Sequence, residues 1–131
     1  MKKTALLLIV VSILFASSVF AEQMQTFKSG SKLQLDCSGL SAPFKSERKM
    51  LLDATCLNYI KGVFDLHQTL VGSRIIAPRF CKPADVDLGQ LARTVIEYIE
   101  ENQEKAEVTA SSLIMHALGD AFPCTESPAV Q

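Results

Sequence analysis

The stretch LDATCLNYIKGVFDLHQTLV, residues 52–71, decides how the rest of the chain is read. Leu52, Cys56, Tyr59, Val63, Leu66 and Leu70 recur at alternating steps of four and three, and Leu57, Ile60, Phe64 and Val71 form a second stripe beside them. At ~100° per residue both stripes fall on one side of a helical wheel, while Asn58, Lys61, Asp65 and Gln68 hold the other. The spacing predicts one long helix from near Ser46 to about Val71, half buried along its length. Cys56 falls in the middle of the buried arc, where apolar neighbours raise a thiol's pKa and exclude substrate, so it reads as half of a disulfide rather than a nucleophile. His67 projects onto the same arc and reads as a core histidine bonded to a nearby carbonyl, not as a ligand or catalytic base.

Working outward, Ser31 caps a short helix predicted over Ser31–Cys37, with Leu33 and Cys37 on one face, and SGLSAPFKS ends it. After the link GSRIIAPRFCKPA, Asp87 and Gln90 have capping-box spacing at the head of a third helix whose apolar face is Leu88, Leu91, Ala92, Val95, Tyr98 and Ile99. A fourth helix spans about Thr109–Ala121, burying Ala110, Leu113, Ile114, Ala117, Leu118 and Ala121 and turning His116 to solvent; Pro123 stops it and Cys124 follows. The expected fold is all-α, a small single-domain bundle of about four helices.

The first residues read as an export leader. Lys2 and Lys3 precede the apolar run ALLLIVVSILF, and Val19-Phe20-Ala21 has the small flanking residues of a cleavage site, so cleavage is expected after Ala21 and the domain is residues 22–131. That run is short for a spanning helix. An exported chain with four cysteines, Cys37, Cys56, Cys81 and Cys124, is expected to hold two disulfides. Four cysteines allow three connectivities. Short links make neighbouring helices antiparallel, which favours Cys37 with Cys56 and Cys81 with Cys124.

The formal net charge of -1 gives no bulk attraction to nucleic acid or to an anionic membrane. Its distribution is uneven: basic residues outnumber acidic ones from Lys28 to Lys82, whereas beyond Pro83 only Arg93 and Lys105 offset a long series of carboxylates. Glu97, Glu100 and Glu101 lie outward near the third helix's C-terminus, where negative charge is mildly unfavourable, and Glu104 and Glu107 continue into the link. Local stability does not account for them, and they form the candidate partner-binding surface. There is no CxxC, no HExxH, no phosphate-binding glycine loop and no Ser/His/Asp spacing. No catalytic residue, metal or cofactor is expected, and the chain does not read as an enzyme.

The ordered set CLNYIKGVFD (56–65), CKPADVDLGQ (81–90), VIEYI (95–99) and LIMHALGDAFPC (113–124) resembles the Rap/Tai family, immunity proteins against type VI secretion amidase effectors. The resemblance covers nearly all of residues 22–131 and implies a small periplasmic helical protein, often a homodimer, that binds a peptidoglycan amidase or peptidase and blocks its cleft. Tyr59, Gly62, Phe122 and Pro123 are its motif positions here. The family usually has glycine where this chain has Asn58, and Gly62 is then expected to permit close approach of another helix. The alternative reading is a periplasmic acid-stress chaperone or binding module of small, helical, disulfide-bonded type.

Overall fold

The computed structural model describes residues 28–40 and 46–124, so the predicted leader and its cleavage site lie outside the described residues. Four α-helices follow one another: α1 (Gly30–Asp36), α2 (Glu47–Gly72), α3 (Leu88–Glu101) and α4 (Ala110–Ala121), with a short 3-10 turn at Gln103–Lys105 between the last two. No strand occurs among the described residues beyond an isolated bridge between Ser29 and Thr109. The fold is all-α, as the periodicity predicts.

Each helix starts where a side-chain oxygen can take an otherwise unpaired backbone N–H. Ser46 accepts from Lys49 N–H at the head of α2 and Thr109 from Ser112 N–H at the head of α4. Asp87 and Gln90 form the full capping box on α3. On α1 the cap is Ser29, two residues before the expected Ser31. Ser31 instead ties α1 to a distant segment, where its N–H donates to Ala106 O at 2.8 Å and its hydroxyl contacts Ala106 O and the Glu107 carboxylate.

At its C-terminus α2 ends in a Schellman arrangement, with Ile75 N–H on Leu70 O and Arg74 N–H on Val71 O, both at 2.9 Å. Arg74 occupies the left-handed position, φ 58°, that glycine normally fills.

Leu33 of α1, Cys56 and Ile60 of α2, Leu91, Val95 and Ile99 of α3, and Leu113, Ile114 and Leu118 of α4 make one shared core. Burial on α2 centres on Asp53, Cys56, Ile60 and His67. Leu66, expected on the buried stripe, is 58% exposed because it lies ~110° from the centre of that arc. The largest enclosed side chain is Phe80, which comes from the α2–α3 link and packs against Phe64, ring centroids 5.6 Å apart.

The disulfides join Cys37 to Cys56 and Cys81 to Cys124, the topologically favoured pairing, with Cα–Cα distances of 5.0 and 4.9 Å. The first holds α1 to α2. The second closes the base of the α3–α4 hairpin, where Cys81 N–H also donates to Phe122 O at 2.8 Å. That pairing is the role of the Phe122-Pro123-Cys124 ending: Phe122 is half buried and supplies the acceptor, and exposed Pro123 leads the chain into the disulfide.

Candidate functional site

At one end of the bundle the start of α1 is laced to the α3–α4 link. Gly30 N–H donates to Val108 O at 3.0 Å, Ser31 N–H to Ala106 O, and Ala110 N–H to Lys28 O at 2.9 Å. The approach requires glycine at position 30, since a Cβ there would stand 2.3 Å from Leu113 Cδ1 and 2.8 Å from Ala106 O. Gly62 differs from its expectation: it is exposed on α2, and nothing lies within 4 Å of a Cβ placed there. It faces outward beside Asn58, which is also exposed, so no described helix packs on that stripe.

The link is tied on its other side as well. Asn102 Nδ2 donates to Tyr98 O and Gln103 Nε2 to Ile99 O, each at 2.8 Å, adding a second donor to carbonyls that already receive the Asn102 backbone N–H. Lys105 Nζ donates to Asn102 Oδ1 at 2.7 Å and lies 5.6 Å from the Tyr98 ring centroid. Glu97, Glu100, Glu101, Glu104 and Glu107 are all exposed. Glu104 lies 3.8 Å from Lys105, and Glu107 is held by the Ser31 hydroxyl. Glu97, Glu100 and Glu101 are carried by α3, and Glu104 and Glu107 by the link, whose Ala106 and Val108 are bonded to α1.

Just inside this end lies a charged cluster that the sequence pattern does not reveal. Asp36 is buried and receives Lys28 Nζ at 2.5 Å and Lys32 Nζ at 2.6 Å, while Lys28 Nζ also stands 4.9 Å over the Tyr59 ring. Burial pushes the Asp36 carboxyl up, but the hydrogen bonds and charges of the two lysines outweigh it and hold the group below its ordinary range. Tyr59, a motif position of the resemblance, is the aromatic wall of this cluster. Only the spacing of Lys32 and Asp36, one helical turn apart, could have hinted at it.

At the opposite end a cavity of about 290 Å³ is lined by Pro78, Arg79, Met115, His116, Gly119 and Asp120. Gly119 lets the link lie close: a Cβ there would meet Arg79 O at 3.2 Å. The lining residues include no hydroxyl or thiol that could act as a nucleophile. His67, behind the link, does not reach a carbonyl as expected; its Nε2 instead accepts the Arg79 N–H at 3.1 Å, and its ring stacks on Phe80 at 4.0 Å. Periodicity places His67 on the correct helical face, but it carries no information about donor and acceptor.

No group of three or more His, Cys, Asp or Glu side chains converges as a metal site among the described residues. No described helix is long and apolar enough to cross a membrane. What the described residues offer is exposed carboxylates on α3 and the link of a small, twice-bridged helical scaffold.

Comparison with known families agrees. The sequence model of the Rap1a immunity proteins matches residues 29–124, and the chain belongs to that family. The match begins at Ser29, the α1 cap, and ends at Cys124, so it contains both disulfides and the whole helical unit. No curated protein matches the chain. Membership in an immunity family implies binding of a cognate bacterial effector, and such proteins are generally without catalysis.

Proposed function

We propose that this chain is a periplasmic immunity protein that binds a peptidoglycan-cleaving amidase delivered by type VI secretion and occludes its active site. The observation that carries the reading is the acidic α3–α4 link, presented by a matched family scaffold and pinned by α1. A segment whose backbone is already ordered loses little entropy on entering a cleft. Its carboxylates favour a cleft with a basic rim and speed association more than they deepen affinity. Two disulfides in a small domain fit an oxidising compartment, in keeping with the basic-apolar leader. A second copy of the chain is a further partner in this reading.

The test is a triple variant, Glu100→Lys with Glu101→Lys and Glu104→Lys, assayed against the cognate amidase. The proposal expects association to slow at least tenfold at low salt and protection from lysis to fall with it. Unchanged inhibition by the correctly folded variant would place the contact elsewhere.

A further inference from the structure

His67 is 2% exposed and joins α2 to the link that leads to α3. An imidazole that accepts a hydrogen bond at Nε2 is neutral and carries its proton on Nδ1. That Nδ1 is buried and has no hydrogen-bond partner among the described residues. A second proton therefore goes to Nε2, the atom that holds the Arg79 amide. Once protonated, Nε2 is a donor facing a donor, and the hydrogen bond is lost.

The new charge would have no counter-ion close by. Lys61 and Asp65 on α2, Arg74 and Arg79 on the link, Asp87 and Arg93 on α3, and His116 and Asp120 on α4 are all exposed. None of these side chains pairs with the ring among the described residues. Burial alone holds His67 below the ordinary imidazole range.

We propose that His67 is an acid-operated latch: its protonation frees residues 76–80 from α2, uncovers Phe80 and reshapes the cavity formed by Pro78, Arg79, Met115, His116, Gly119 and Asp120. The movement is local because the segment is leashed at both ends. Arg74 and Ile75 remain in the Schellman bonds of α2, and Cys81 is fixed to Cys124. Val95 and Ile114 lie within the helices α3 and α4 rather than in the link, and the Cys37–Cys56 bridge joins α1 to α2 away from it.

The pH window follows from the sign of two shifts. A histidine with a lowered folded pKa contributes stability that is complete above about pH 6.5 and declines as pH falls below it. Asp36, lowered from 3.8, keeps its contribution until the solution is more acidic than that. Between these limits the latch opens while the Asp36 cluster stays intact. Below the ordinary imidazole value the open form gains on the closed one as pH falls, by at most about tenfold per pH unit. The latch is independent of which effector is bound.

Amide hydrogen exchange of the oxidised protein between pH 7.5 and 5.5, corrected for the intrinsic chemical rate, tests it. The expected result is severalfold more opening at the Arg79 amide at pH 5.5 than at pH 7.5, with the Val95 and Ile114 amides unchanged, and no such response in His67→Gln, whose amide oxygen accepts at every pH. Loss of protection at Val95 and Ile114 together with Arg79, or the same response in His67→Gln, would overturn the proposal. Imidazole 15N shifts of the wild type give the second measurement should His67→Gln not fold: the His67 midpoint must coincide with opening at Arg79. A ring that stays neutral until the whole chain unfolds would refute the latch.

Discussion

Replacing Gly30 with alanine sets a methyl group 2.3 Å from Leu113 Cδ1 and 2.8 Å from Ala106 O. The leucine side chain can turn aside, but the carbonyl belongs to the backbone that receives Ser31 N–H at 2.8 Å, so relief requires α1 and the link to separate. Overpacking of this kind costs about 1–3 kcal/mol. The gain in helix propensity is small at the first helical position, leaving a net loss of about 1–2 kcal/mol. Gly62→Ala is the matched control: in the exposed middle of α2, with nothing within 4 Å, it should stabilise by about 0.5–1 kcal/mol. Urea denaturation of the oxidised proteins at pH 7.5 measures both. Opposite signs are expected; a neutral Gly30→Ala would refute the close approach, and a destabilising Gly62→Ala would mean that another surface packs there.

Removing Cys81–Cys124 by paired serine substitution should cost about 4 kcal/mol for a separation of 43, and removing Cys37–Cys56 about 3 kcal/mol for 19, read from denaturation midpoints. Asp36→Asn should destabilise by about 2 kcal/mol at pH 7, less than a fully enclosed pair because Lys32 is half in solvent, and the difference should disappear well below pH 3.8 in an acid titration. Arg74→Gly should raise stability by up to about 1 kcal/mol in thermal or urea melts by relieving the left-handed backbone at φ 58°.

The helices and the disulfide pairing were legible because both follow from periodicity and short connections. Cys56 occupies the buried arc that its spacing predicts, and the capping box at Asp87 forms as its sequence implies. Most of the misses depend on contacts between segments distant in sequence. Ser31 looks like a cap until Ala106 and Glu107 are brought beside it, and Ser29 caps instead. Phe80 sits in a link without periodicity, yet Phe64 and His67 enclose it. Gly62 was expected to face a helix, but its place on the wheel is outward. The acidic residues were visible one by one. The tie of the link to α1 beside Glu107 is what no local pattern encodes.

Neutralisation of an effector amidase can be read by expressing a panel of type VI peptidoglycan amidases in the periplasm of a test cell, with and without this chain. One amidase of the panel should be silenced, should form a stoichiometric complex with the purified protein, and should stop cleaving isolated peptidoglycan at that stoichiometry. Lysis by every amidase at full rate in the presence of the correctly exported, oxidised chain would contradict it.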